Sequence, residues 1–435
     1  MSLCADPVYY RVIRNGIKID GRHDDGKRFV FMSLLLLVVN VGSTSVKTQA
    51  FDVGLQAKAL LAADYGHAGS VVMDGHDLHG RPIAERFGQG MDVAAVLALV
   101  LGRWQQWLQA SGSVLIAVGH RIVHGADWFD ALTPISPDVL QRLAGLDPYA
   151  PLHNPFNRMG VEQSLDRFPD VAQFALFDTA FHRNLPDVAK RYAIPEWLSS
   201  AVAFYRYGFH GLSCHHSLMA AAQLLATEPS KLNLIVLHLG GGNSVTAIRE
   251  GRSVDTSMGF SPTEGLMMAG RCGDIDPMIL LTLLRQGMPL DKLDDVLNHQ
   301  SGLQGICGDG DMRSILQRSG QGDHQAALAI EMFCYRIKKY IGAYCAILGE
   351  VSALVFTGGI GEHAAEIRQR VVGGLEPLGF ALNDVANKNI KHNGDISDAA
   401  SRSRILVIHA EEERVCARQM LTFLGQVSDD KNEEA

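Results

Sequence analysis

Leu34-Leu35-Leu36-Leu37-Val38-Val39-Asn40-Val41-Gly42-Ser43-Thr44-Ser45-Val46-Lys47 has a counterpart much later in the chain, Leu234-Ile235-Val236-Leu237-His238-Leu239-Gly240-Gly241-Gly242-Asn243-Ser244. In each, an apolar run (Leu34 to Val39; Leu234 to Leu237) enters a Gly/Ser turn and then a second short strand. Runs without polar alternation are strands covered on both faces. The cover is available in two stretches of helical periodicity, Met91 to Gln109 and Gln325 to Leu348. The expectation is an α/β protein built from two related halves.

The chain has 435 residues, 47% of them hydrophobic, which is more than one core usually holds and predicts two domains or three. With 39 basic against 47 acidic residues it has no basic field for nucleic acid. Its 7 cysteines are scattered without paired short spacing, so they read as reduced thiols of a cytosolic chain, small and buried. Lys27 and Arg28 before the apolar run Phe29 to Val39 imitate a targeting signal. That run is too short to span a bilayer, lies late and lacks a small-x-small cleavage site. Its second half is expected to be a buried strand, residues 1–32 an extension outside the fold, and the acidic tail from Asp429 disordered.

A third strand-to-glycine turn is Leu354-Val355-Phe356-Thr357 into Gly358-Gly359-Ile360-Gly361, after which Glu362 to Val372 can form a helix. The end of the chain repeats strand to helix, from Ile405–Ile408 through Glu411-Glu412-Glu413 to Leu424. Phosphate needs converging N–H donors and glycine lets backbone approach closely, so three such turns point to a nucleotide clamp. Each alone would read as a plain hairpin turn; Lys47 on the second strand of the first one favours phosphate. Gly265 to Gly270 followed by Arg271-Cys272 lacks the Lys and Ser/Thr of a P-loop, and there is no GxGxxG opening a helix, HExxH or GxSxG. A Rossmann dehydrogenase, a zinc protease and an α/β-hydrolase are thereby disfavoured.

Gly119-His120-Arg121-Ile122-Val123-His124-Gly125 follows the strand-like run Val114 to Val118 and sets Arg121 where strands end, suited to a substrate carboxylate. A structural ion pair is the equal alternative. Polar residues beside Gly or Pro recur in Leu152-His153-Asn154-Pro155, Phe177-Asp178-Thr179-Ala180-Phe181-His182, Tyr207-Gly208-Phe209-His210-Gly211 and Gly270-Arg271-Cys272-Gly273-Asp274-Ile275-Asp276-Pro277. Singly, His153 or His210 reads as a hydrogen-bonded structural histidine and Asp178 as an N-cap.

Taken together and in order, NVGSTSVK, GHRIVHG, PLHNP, FDTAFH, RYGFHG, HLGGGNSVTAI, VDTSMGFSPTEG, RCGDIDP, FTGGIGE and LVIHAEEE resemble the acetate kinase family, from about Leu34 to Leu424. The resemblance implies a duplicated sugar kinase/Hsp70/actin-like (ribonuclease H-like) α/β fold with the active-site cleft between two domains. Domain I would be 33–180 plus 414–427, with the first phosphate loop and the acyl side, and domain II 181–413, with the second phosphate loop and the adenosine side; 428–435 would be the tail. It also implies reversible, direct in-line transfer of the ATP γ-phosphoryl group to acetate, with Mg2+ or alternatively Mn2+, in a cytoplasmic homodimer that binds neither nucleic acid nor membrane.

By motif, the resemblance makes Arg121, Asp178, His210 and Arg271 catalytic, and Arg121, Val123, Leu152, His153, Phe209 and Pro262 the acid-binding set. The nucleotide set is Asn40, Ser45, Lys47, His238, Leu239, Gly240, Gly241, Gly242, Asn243, Asp311, Met312, Arg313, Gly359, Ile360, Gly361 and His363. Asn40 and Glu412 would serve the metal; helix-dipole compensation, shared with Glu411 and Glu413, is the plainer reading of Glu412. The chain departs from the family where Gly241 replaces asparagine, Gly358 alanine and His363 asparagine, which bears on phosphoryl-donor affinity. Within the same chemistry the alternative is a propionate or butyrate kinase. From another class it is a non-catalytic ATP switch of the actin/Hsp70 type, disfavoured by Arg121, Arg271 and His210.

Overall fold

The computed structural model describes residues 33–65, 70–88, 90–199 and 202–425. The expected extension and acidic tail, like the start of the apolar run at Phe29, lie outside them. The chain divides into two compact units: one takes residues up to Gly125, Ala131–Phe177 and the residues from Glu413, the other Ala126–Asp130 and Asp178–Glu412.

In the first unit, β1 (Leu34–Val41) is central and almost wholly buried. It pairs antiparallel with β2 (Ser45–Asp52), which continues outward to β3 (Ala57–Asp64), β4 (Val71–His76) and β5 (Pro82–Phe87). On its other side β1 runs parallel to β6 (Val114–Ile122), followed by β8 (Ala172–Phe177), with the two-residue β7 (Thr133–Pro134) at the edge. The helix Val93–Ser111 starts at Asp92, whose carboxylate accepts the Ala95 N–H, and presents Val96, Leu97, Val100, Leu101 and Trp104 to the same core as Leu37 and Val39. Trp104 enters that core with its indole satisfied, donating to Thr48 Oγ1 at 2.7 Å.

The second unit repeats the plan. β9 (Leu234–Leu239) pairs antiparallel with β10 (Asn243–Arg249), which pairs with β11 (Arg252–Thr256). On its other side β9 is parallel to β12 (Ala353–Thr357), and β12 to β14 (Arg404–Val407), with β13 (Gly394–Asp395) at the edge. Thus the order β3-β2-β1-β6-β8 recurs as β11-β10-β9-β12-β14, as the two matching sequence stretches predict. The 25-residue helix His324–Leu348 packs Ile330, Phe333, Ile337 and Ile341 with Leu237 and Phe356.

Each unit is completed by a helix that follows the last parallel strand of the other. After β8 the chain forms Gly211–Leu224, whose Cys214, Leu218 and Ala221 join Leu234, Val236 and Val355 in the second core. After β14 it forms Glu412–Phe423, where Met420 lies against Gly119 and Phe423 meets Phe174 at 5.2 Å between ring centroids. The Gly211 amide donates to the Asp178 carbonyl at 2.9 Å, and a Cβ there would lie 2.2 Å from that oxygen. Only glycine lets that helix start so close to the preceding strand.

The regular elements outrun several sequence expectations. β6 continues through Arg121 to Ile122, so Arg121 is inside the strand end rather than past it. The expected helix Glu362–Val372 is two helices, Gly358–His363 and Ala365–Val372, separated by non-helical Ala364. Strands β3, β4, β5 and β11 have mixed or alternating burial and gave no continuous apolar signal.

Two buried histidines couple these cores to pH. His120 Nε2 bonds Gln173 Oε1 at 2.8 Å, and His182 bonds Ser253 Oγ at 2.8 Å and the Phe209 carbonyl at 3.0 Å. Burial pushes each imidazole down from the ordinary 6.5 to about 4. The unfolded chain takes up these protons first, so their contribution is complete above about pH 6.5 and is lost as pH falls toward 4. Denaturant midpoints are expected to fall across that window, with a shallower slope in His182→Asn; an unchanged slope would assign the loss to other groups.

Candidate active site

The second unit gathers most of the expected residues at the carboxyl ends of its parallel strands. His210 precedes the helix Gly211–Leu224 at φ 58°, ψ 28°, a conformation few non-glycine residues adopt. His182 anchors the carbonyl of buried Phe209 just before it. His210 Nδ1 bonds Ser244 Oγ at 2.9 Å, and its ring stacks on His238 with centroids 4.1 Å apart. His238 Nδ1 in turn bonds Ser213 Oγ at 2.8 Å. A Cβ built on Gly242 would lie 3.3 Å from His210 Nε2 and 3.5 Å from Arg271 Nη1, so imidazole, guanidinium and glycine loop converge.

Arg271 is largely enclosed, and burial lowers its affinity for a proton. Nη1 donates to the Pro262 carbonyl at 3.2 Å and approaches Met268 Sδ at 3.8 Å, and among the described residues no carboxylate pairs with it. Arg368 shows the structural alternative: it is 1% exposed and donates to Gly361 O, Glu362 O, Asn387 Oδ1 and Asn387 O at 2.7–2.9 Å. Arg368 is consumed by its surroundings, whereas Arg271 spends only Nη1, on the Pro262 carbonyl and Met268 Sδ. A buried cation without an acid partner is costly unless a ligand supplies the charge.

The second glycine loop leaves β9 at Leu239. The Gly240 amide donates to Gly242 O at 3.2 Å and Asn243 Oδ1 at 2.8 Å, while Asn243 Nδ2 donates to Met267 O at 3.0 Å. Asn243 therefore shapes this loop from below. Gly358 has φ 76°, and a Cβ there would stand 2.7 Å from the Leu239 carbonyl, a close approach that glycine allows without strain. Gly359 N lies 3.9 Å from the position of a Gly240 Cβ, which brings the loops after β9 and β12 together. Ile360 is half-buried, Gly361 buried and His363 exposed. Glu362 was not singled out from sequence; it accepts the Ala410 N–H and bonds His409 Nδ1, both at 2.9 Å, tying this loop to the end of β14.

Asp311 caps the helix Met312–Gly320 by accepting the Arg313 N–H, and also pairs with the exposed Arg313 side chain at 2.7 Å; Met312 is buried. Asp178 is buried directly after β8, and it is Thr179, not Asp178, that holds the N-cap position of the short helix Ala180–His182. The Cys214 thiol is pushed up to about 12, chiefly by burial, with Glu412 and Asp178 adding negative charge. Both carboxylates therefore stand near the first turn of Gly211–Leu224. No three metal-ligating side chains cluster among the described residues. Two carboxylates nevertheless suit magnesium, which keeps water and phosphate oxygens as its other ligands.

In the first unit the helix Asn154–Arg167 ties the expected acid-side segments together. Leu152 and His153 precede it, both half-buried. Asn154 Oδ1 accepts the His124 N–H at 3.1 Å and its Nδ2 donates to His124 O at 3.0 Å. Asn157 Oδ1 accepts the Val123 N–H at 2.9 Å and its Nδ2 donates to Val41 O at 2.7 Å. Asn157 escaped the sequence reading and Asn154 entered it only as part of a motif, although Pro155 marks the helix start and their spacing puts both on one helical face. They fix the end of β6, with Arg121 and Val123, against the first glycine turn. In that turn Gly42 N donates to Ser45 O at 2.8 Å, Asn40 lies opposite Lys47, and Lys47 Nζ pairs with Glu413 Oε1 at 2.8 Å.

Comparison with known proteins matches residues 35–418 to the family described as the acetokinase family. An acetate kinase of Sulfurovum sp. (strain NBC37-1) is 42% identical over 396 residues, 90% of this chain and 100% of the relative. The crystal structure of Porphyromonas gingivalis acetate kinase has a TM-score of 0.82 at 32% identity, covering 90% of this chain and 100% of that one. A propionate kinase from Francisella tularensis subsp. tularensis SCHU S4 has a TM-score of 0.83 at 36% identity, covering 89% and 99%. Matched to the family over residues 35–418 and 42% identical to a relative across 90% of its length, the chain belongs to the acetokinase family.

Proposed function

We propose that this protein is an acetate kinase that transfers the γ-phosphoryl group of ATP reversibly to acetate, giving acetyl phosphate and ADP. The observation that carries the reading is Arg271, a half-buried guanidinium without a carboxylate partner among the described residues, beside His210 and the Gly240–Gly242 loop. A carboxylate oxygen forms a bond to the γ-phosphorus while the bond to the ADP oxygen breaks; no proton need move. The chief obstacle is repulsion between two anions, which fixed cations and donors offset. Arg271 and Arg121 supply the charge, and His210 Nε2 donates to the equatorial oxygens, its Nδ1 held by Ser244. His153, Val123, Leu152, Phe209 and Pro262 shape a small acid site.

Asn40, Ser45 and Lys47, with Gly240 to Asn243, serve the phosphates; His238 orients His210 by stacking, Leu239 ends the strand that carries the loop, and Gly359, Ile360, Gly361 and His363 with Asp311, Met312 and Arg313 serve the nucleoside. Asp178, Glu412 and Asn40 would hold Mg2+ through oxygen, and the ion would supply charge neutralisation on the phosphates. The exposed Met278, Ile279, Leu281 and Leu284 of the helix Pro277–Arg285, which has no buried residue, favour a second copy of the chain as partner in a homodimer. A cytoplasmic setting fits the six thiols left free among the described residues.

Trapping acyl phosphate with hydroxylamine, from ATP, Mg2+ and acids of increasing length, tests the reading. Acetate is expected to turn over fastest, with kcat/KM falling by about 10-fold or more per added methylene as the small apolar site is overfilled; a propionate optimum would favour a propionate kinase. Arg121→Ala and Arg271→Ala are each expected to lower kcat by about 100-fold or more with the melting temperature unchanged. Near-normal turnover in either would remove that residue from the site. Gly241 is open: a Cβ there would meet nothing within 4 Å. Gly241→Asn is expected to lower the KM for ATP by about 2- to 10-fold, the worth of one added hydrogen bond, and a raised KM would count against Gly241 as the cause of weak donor contact.

A further inference from the structure

The segment Thr256–Asp274 carries Pro262 and Arg271 yet has no regular secondary structure beyond its first residue, so something else must hold it. A part-buried charge network does. Arg206 donates through Nη1 to the Thr256 and Ser257 carbonyls at 3.0 and 3.2 Å and through Nη2 to Glu264 Oε1 at 2.6 Å. The other Glu264 oxygen accepts the Tyr192 hydroxyl. That hydroxyl in turn accepts the Phe260 N–H at 2.7 Å. A Cβ on Gly259 would collide with both the Glu264 carboxylate and the Tyr192 oxygen, so the segment is folded tightly over the pair.

The far end of the segment is pinned separately, by Asp274 Oδ1 accepting the Gly265 N–H at 3.0 Å and by Tyr340 donating to Asp274 Oδ2 at 2.8 Å. Inside the first anchor lies Pro262, flanked by Phe260 and Glu264, and its carbonyl accepts the Arg271 guanidinium. Burial, reinforced by the Glu264 carboxylate, holds the Tyr192 hydroxyl well above its ordinary titration range, so it remains a donor.

We propose that Tyr192, Glu264 and Arg206 are positioning residues for phosphoryl transfer: they fix the backbone at Phe260–Glu264 so that the Pro262 carbonyl aims the Arg271 guanidinium at the reacting groups. The network touches no substrate itself and acts through Arg271, so the inference rests on the catalytic role assigned to Arg271 above. Its loss lets the guanidinium drift, and misplacement by about 1 Å at a reacting centre costs on the order of 100-fold in rate.

The test is a double-mutant cycle in the full-length protein, measured as acetyl phosphate formation well below the melting temperature. Tyr192→Phe is expected to lower kcat by about 10- to 100-fold while the KM for ATP stays within about twofold. In an Arg271→Lys background the same change is expected to have almost no further effect, because the group it aims is already gone. Multiplicative effects of the two substitutions, or a Tyr192→Phe enzyme with normal kcat, would overturn the proposal and leave the network a stabilising one. Glu264→Gln, nearly isosteric, is measured in the same cycle and decides the matter should Tyr192→Phe fail to fold. If Arg271→Lys alone turns over normally, the role given to Arg271 falls instead, a result distinct from additivity.

Discussion

A half-buried guanidinium, Arg271, with no carboxylate beside it among the described residues is the constraint around which the second unit is organised. Left alone it would be a net cost to folding. The chain meets that cost with a backbone carbonyl and a thioether, enough to aim Arg271 and too little to neutralise it. Arg368 shows how the same side chain is treated when no ligand is intended, with every hydrogen bond given to carbonyl and amide oxygens. The contrast separates an arginine that holds the protein together from one whose hydrogen-bonding capacity is mostly left over, which supports the anion-binding role proposed for it.

The duplicated sheet explains where such groups can stand. A strand buried on both faces ends in a turn that must satisfy its own amides, and glycine leaves those amides open to a ligand. The turns after β1, β9 and β12 are of this kind. The supports beneath them differ: Asn157 braces the first, Asn243 the second, and Glu362 with Arg368 the third. Buried polar side chains with both ends satisfied can set backbone position in this way without disturbing the core.

Much of this was legible from residues alone. The runs at Leu34 and Leu234 announced β1 and β9 because both faces of each strand are covered, and Val93–Ser111 and His324–Leu348 declared themselves through helical spacing. β3 to β5 did not, since partial exposure broke their pattern. The convergence of His210, Gly242 and Arg271 could be inferred only through family resemblance, for no spacing in the chain links them. Asp178 read equally as a cap until Thr179 was seen in that position. The bracing roles of Asn154, Asn157, Tyr192 and Glu264 were out of reach, even where Asn154 and Glu264 stood within quoted motifs, because they depend on partners distant in sequence, such as Val41 for Asn157 and Phe260 for Tyr192. The break at Ala364 was likewise invisible, alanine being the residue most at ease in a helix.

The exchange of closing helices bears on synthesis at the ribosome. β1 to β8 emerge early, yet Met420 and Phe423, which cover Gly119 and Phe174, are made only after the whole second unit. The second unit has no such wait, because Gly211–Leu224 precedes β9 in the chain. The early-made half must therefore hold an uncovered sheet face through most of translation, the kind of surface on which chaperones act, while the late-made half can close as soon as its last strand clears the exit tunnel.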